Sequence, residues 1–162
     1  MLPATSATGA PDPLRATAEP PSVTDVTEFL DDLVHEPSQI EGPGVDLTVE
    51  YVARIEGAGD VDFGGDEYEA PEAEAVRAER RSEDDDYGWY ELDAGTYVLR
   101  YNETLSSAEN EFLLQPHPRL LALGVIHPTV RLEKLRRVPM TVPEDGVNIK
   151  ENARVSTLRP PA

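Results

Sequence analysis

Few residues in this chain could do chemistry, and their spacing is restrictive. There is no cysteine, which removes disulfides, thiolate nucleophiles and thiolate zinc sites together. The three histidines, His35, His117 and His127, never fall at metal-ligand spacing. Each is therefore expected at a surface or turn position rather than on a metal. Gly57-Ala58-Gly59 lacks the third glycine of a dinucleotide loop, no Walker-type phosphate loop occurs, and no serine sits in a nucleophile elbow. The run Asp84-Asp85-Asp86 could draw a divalent cation. Without interleaved turn residues it has no rigid coordination geometry and reads as a solvated charged face, so no metal site is assigned.

What remains is Arg131-Leu132-Glu133-Lys134, together with Arg119, Arg136, Arg137 and Arg154. In an extended segment Arg131 and Glu133 share one face while Leu132 takes the other. Leu132 can then point to a core and Glu133 to a cleft. A neighbouring guanidinium keeps such a carboxylate ionised, as a general base requires. The plainer alternative is a strand carboxylate paired with Arg131.

The elements that must position these groups belong to one acidic domain. The 162 residues carry 14 basic and 32 acidic side chains, a net charge of −18. Phosphate-backbone binding needs a basic surface, so nucleic acid is excluded as the main partner. No apolar run approaches the length of a membrane span. The charge is uneven: residues 1–118 hold 6 basic and 28 acidic groups, and residues 119–162 hold 8 and 4. Lysine supplies only Lys134 and Lys150. An acid-rich, Lys-poor surface of this kind suits a cytoplasm at very high salt, where repulsion between carboxylates is screened.

Residues 1–22 are rich in Pro and Ala, cannot bury enough apolar surface to order themselves, and read as a disordered tail. The tail has neither the basic nor the apolar region of a signal peptide, so a cytoplasmic location is expected. From residue 23 to 162 a single domain is expected. Thr24 is placed to cap a short amphipathic helix whose face is Val26, Phe29, Leu30 and Leu33, ending before Pro37. Val45, Leu47, Val49 and Tyr51 then alternate with polar residues, the pattern of a half-buried strand. Residues 56–93 hold 15 acidic groups against 3 basic ones and form a solvated insertion over about 56–88, with a short helix expected over Ala73–Arg81. Trp89–Leu92 and Thr96–Tyr101 read as a hairpin. Strands are expected at Glu111–Leu114, Leu120–Ile126, Thr129–Leu135, Met140–Val142, Val147–Ile149 and Arg154–Leu158, separated by prolines. Many short strands with such punctuation predict an all-β barrel or sandwich.

Gln39-Ile40-Glu41-Gly42-Pro43-Gly44-Val45-Asp46-Leu47 resembles the first core strand of the dCTP deaminase and dUTPase superfamily. Later features follow in the family's order: Asp93–Leu99, Leu120–Val125, Leu132-Glu133, and the closing Glu151–Leu158. The resemblance spans roughly residues 24–160. It implies a mainly β, dUTPase-like distorted barrel (β-clip) with one short N-terminal helix, in a divergent member of haloarchaeal type. It also implies a homotrimer with nucleotide pockets between subunits, and a deoxynucleoside triphosphate substrate accompanied by magnesium. The reaction implied is dCTP to dUTP, with dUTP hydrolysis as a variant, by glutamate-activated water and without zinc. The matching base is Glu133, the substrate-binding residues are Arg119, Arg131, Arg154 and His117, with Arg119 and Arg154 for the phosphates, and Asp46 and Gly124 are structural. His117-Pro118-Arg119 stands where the family carries Arg-Ser-Ser. A catalytically inactive relative that binds a nucleotide or a protein partner is the alternative reading.

Overall fold

The computed structural model describes residues 25–106 and 109–161. The expected tail over 1–22 and the Thr24 cap lie outside them. The chain is mostly β. Its strands are β1 Leu30–Asp31, β2 Val45–Glu56, β3 Glu72–Ala75, β4 Trp89–Leu92, β5 Gly95–Tyr101, β6 Thr104–Leu105, β7 Phe112–Pro116, β8 Val130–Leu132, β9 Val138–Val142, β10 Val147–Lys150 and β11 Arg154–Arg159. Two short helices, α1 Glu36–Gln39 and α2 Pro118–Ala122, complete it. The main sheet runs β8-β7-β11-β2-β5-β9, with β3 added beside β2; β10 with β4, and β1 with β6, form two-stranded ribbons. Every one of these pairings is antiparallel. This is the mainly β, dUTPase-like architecture that the resemblance implies.

β2 organises the fold because it is long enough to serve two sets of partners. Its first half pairs with β11 and its second half with β5 and β3. Val45, Leu47 and Val49 face a core shared with Leu99, Phe112 and Leu114. The strand is not half-buried as the alternation predicts, for Asp46 and Thr48 on its polar face are buried too. Asp46 finds partners in β11 and at the cap of α2, and Thr48 finds Glu103 in the segment between β5 and β6. At the mouth of β2, a Cβ on Gly44 would stand 2.4 Å from the Leu158 carbonyl oxygen, so only glycine lets β11 approach there.

Four expectations change. The amphipathic helix is a 3-10 turn at Val26–Phe29, capped by Asp25, whose carboxylate accepts from Thr27 N at 3.0 Å. The backbone of Leu30–Asp31 pairs instead with β6. Pro37 lies in the first turn of α1, where its lack of an N–H costs nothing. The helix over Ala73–Arg81 is replaced by β3, whose residues take the free edge of β2 at Ala53–Glu56.

Trp89–Leu92 and Gly95–Tyr101 are strands but not a hairpin. β4 pairs with β10, while β5 is held between β2 and β9, which buries Tyr97 and Leu99. The expected strand Leu120–Ile126 begins instead in helix α2 and continues as a turn: His117 caps α2, Pro118 opens it, and Gly124 at φ 77 closes it in the left-handed conformation. A run such as Leu-Leu-Ala-Leu fits either period, and the flanking cap and glycine decide it.

Candidate functional site

Asp46 is the centre of the best-organised polar cluster. Its Oδ1 accepts from Thr157 Oγ1 at 2.9 Å, while Oδ2 lies 3.2 Å from His117 Nε2 and 3.3 Å from Arg154 Nη1. Arg154 Nη1 also donates to the Ser38 carbonyl oxygen at 3.0 Å. The ring of His117 has its other nitrogen occupied, because Nδ1 accepts the Arg119 backbone N–H at 3.1 Å. Those partners assign the hydrogen to Nε2, which donates to Asp46. Both ring nitrogens of His117 are thus used within the protein, and the histidine, expected at a surface or turn position, sits at the cap of α2 and is buried there.

The cluster fixes one cation and the backbone of a second. Arg119 follows the His117 cap directly, and Arg154 is held by Asp46; both line one cavity of about 500 Å³. Trp89 forms another part of that wall, with the Arg81 guanidinium 3.8 Å from its ring centroid and Lys150 Nζ at 5.6 Å. A concavity carrying two guanidiniums, one of them preorganised by a buried carboxylate, is suited to a phosphate.

Glu133 lies elsewhere. Strand β8 ends at Leu132, which is buried, and Arg131 and Glu133 are exposed on either side of it. Both line a second cavity of about 380 Å³, with Arg136 and Arg137 also in its wall. No salt bridge joins Glu133 to Arg131 in this fold. The register of β7 against β8 sets Phe112 opposite Leu132. Glu133 therefore stands near Glu111, at the start of β7, while His117 follows its far end. Six residue steps along β7 separate Glu111 from His117, about 20 Å at 3.3 Å per residue.

No family model matches the chain. Among curated proteins it is 30% identical over 136 residues to a protein of Methanosarcina mazei named probable deoxyuridine 5'-triphosphate nucleotidohydrolase, covering 80% of this chain and 76% of that one. A protein of the same name from Methanosarcina acetivorans matches at the same identity and coverage. The chain belongs to the dUTPase-like superfamily. A third relative, from Methanosarcina barkeri and of the same name, is 27% identical over 139 residues. Within this dUTPase-like chain, Asp46, His117 and Arg154 are brought together with Arg119 on one side, and Glu133 and Arg131 are brought together on another.

Two buried clusters have no counterpart in the sequence reading. Ser156 Oγ stands 2.5 Å from the Tyr101 hydroxyl and 2.7 Å from His127 Nε2, and His127 Nδ1 stands 2.9 Å from the Pro128 carbonyl oxygen. A carbonyl only accepts, so Nδ1 carries the hydrogen, Nε2 accepts from Ser156, and Ser156 accepts from Tyr101. Burial pushes the His127 imidazolium down and the Tyr101 phenol up. His127 is 2% exposed and Ser156 0%, so this histidine, expected at a surface or turn position, is buried in the segment before β8. Closed to solvent, this serine–histidine pair fastens the core and is no nucleophile.

The second cluster surrounds Glu103. Its carboxylate accepts from Gln39 Nε2 at 2.7 Å, Thr48 Oγ1 at 2.6 Å and Thr48 N at 3.0 Å, which ties α1 to β2. Burial pushes this carboxyl up, against the opposing effect of those bonds. Gln39, first in the resembling motif, was the only signal that could have pointed to it.

Proposed function

We propose that the protein hydrolyses a pyrimidine deoxynucleoside triphosphate, with phosphates bound at Arg119 and Arg154 and water activated by Glu133. The observation that carries this reading is the shared cavity of Arg119 and Arg154, with Arg154 anchored on buried Asp46. His117 acts there by holding the backbone of Arg119 in place. Glu133, exposed in a cavity beside Arg131, is open to solvent water and takes its proton. The names of the relatives favour dUTP, in which water attacks phosphorus and pyrophosphate leaves. The Leu132-Glu133 resemblance favours dCTP, in which water attacks C4 of the base and ammonia leaves.

Magnesium would enter on the triphosphate. There it would be held chiefly by phosphate oxygens. When bound, it shields phosphate charge in a strongly acidic protein. Arg131 adds positive charge beside the base.

The distance between the two halves supports a site completed between copies. One protomer gives Arg119 and Arg154, and a neighbour gives Glu133 and Arg131, in a homotrimer as the resemblance implies. A second reading, a nucleotide- or partner-binding protein without turnover, is favoured by one observation: both nitrogens of His117 are already engaged by the protein. Incubation with dUTP and dCTP in molar salt with magnesium, read by product chromatography, separates the two. Product from either nucleotide supports hydrolysis. Binding of a nucleotide with no product supports the second reading, and neither binding nor product leaves only a protein partner.

A further inference from the structure

The acidic insertion ends in a closed tip. Asp60 and Glu69 exchange backbone hydrogen bonds of 2.8 and 2.9 Å. Between them the Asp62 carboxylate accepts from Gly65 N at 2.9 Å and Glu67 N at 3.0 Å. This ten-residue tip holds five acidic residues and no basic one. It nonetheless presents Val61, Phe63 and Tyr68 to solvent, Phe63 completely. A solvated charged loop has no use for three large apolar side chains, and an exposed aromatic among carboxylates is what an anchor residue looks like.

The same molecule carries a cleft of opposite character. A cavity of about 540 Å³ lies between Arg100–Leu105 and Lys134–Arg137. Lys134, Arg136 and Arg137 line it and form no salt bridge among the described residues. Arg100 lines it too, paired with Glu50 at 3.0 Å. Glu103 also borders it, but its carboxylate is occupied by Gln39 and Thr48. Buried Leu105 and half-buried Leu135 supply apolar wall. Three cations without carboxylate partners among the described residues are conspicuous where acids outnumber bases 32 to 14.

We infer that the tip Asp60–Glu69 of one copy docks in the Arg100–Arg137 cleft of a second copy, with Phe63 as the anchor and the tip carboxylates facing Lys134, Arg136 and Arg137. Full exposure of Phe63 means that its own cleft does not hold it. The contact is head-to-tail, so it adds to a closed ring or links rings. A ten-residue contact is far smaller than a stable interface, so it is weak by itself and is best detected by trapping.

Because the chain has no cysteine, introduced thiols are unambiguous. Gly64→Cys leaves the anchor intact, since a Cβ there meets nothing within 4 Å; Thr104→Cys lies in the cleft wall. Mixing the two single variants under mild oxidation should give a disulfide heterodimer several-fold stronger than Gly64→Cys mixed with a control Glu144→Cys protein. Phe63→Ser in the first copy, or Arg136→Glu with Arg137→Glu in the second, should reduce it to the control level. A yield no higher than control, or one indifferent to both changes, overturns the inference. Light scattering on the unmodified protein keeps the outcomes apart. An oligomer without the specific cross-link removes the tip contact and leaves shared sites standing, whereas specific trapping of a protein that scatters as a monomer does the reverse.

Discussion

Asp46 Oδ2 lies 3.2 Å from His117 Nε2, and that single contact joins the first long strand to the cap of helix α2. The same carboxylate holds Arg154, so one buried residue orients one arginine of the proposed phosphate cavity directly and, through the His117 cap, the backbone of the other. Asp46→Asn keeps the volume but removes the charge that both partners face. It should destabilise the fold by ~3 kcal/mol, as when one member of a buried ion pair is lost. In thermal unfolding that is a fall of roughly 6–12 °C for a domain of this size. Nucleotide affinity should weaken as well, measured by calorimetry at a temperature where the variant remains folded.

Ser156→Ala should cost about 1–3 kcal/mol, because it leaves the Tyr101 hydroxyl and His127 Nε2 buried without each other's bridge. His127 adds a pH dependence of defined sign. Its folded pKa is pushed below the ordinary value of 6.5 by burial, so its contribution is complete above that pH and is lost as pH falls through the lowered value. Denaturant titrations from pH 7 downward should show this loss in the unmodified protein and a smaller one in His127→Gln.

For Glu103 the sign is opposite. Burial raises its pKa above the ordinary 4.5, so its contribution is complete below that pH and declines as pH rises through the raised value. Glu103→Gln has no such titration. The stability difference between variant and unmodified protein should therefore shift in the variant's favour as pH rises above about 4.5. Parallel curves would show that the carboxylate ionises equally well in both states.

Much of the fold was legible because burial follows period. Val45, Leu47 and Val49 announced β2, and the later strands fell close to their expected places. The errors arose where a short segment had two outlets. Trp89–Leu92 and Gly95–Tyr101 have strand composition, but adjacency in sequence does not reveal that β10 and β9 are better partners. Leu120–Leu123 fits helix or strand until His117 and Gly124 are seen as its two caps. At the site, Asp46, His117 and Arg154 were each singled out, yet their mutual contact joins residues 71 and 108 positions apart, beyond any local pattern. Thr157 and Ser156 carried no signal, since a hydroxyl in a strand is ordinary until its cross-strand partners are known.

Glu133→Gln should abolish turnover and leave nucleotide binding and melting temperature nearly unchanged, since Glu133 is exposed and forms no salt bridge among the described residues. Single-turnover product formation alongside equilibrium binding checks this. Full activity in the variant would remove Glu133 from the proton-transfer step.

The central claim is that Glu133 and the arginine pair acting on one nucleotide come from different chains. It is tested most directly by complementation between two inactive proteins, Glu133→Gln and Arg119→Ala with Arg154→Ala. Unfolded together and refolded as a mixture, they should regain activity. Random mixing leaves about a quarter of intersubunit sites with both halves intact. A mixture no more active than its parents, from proteins shown to co-assemble, would place both halves of the site within one chain and contradict the account.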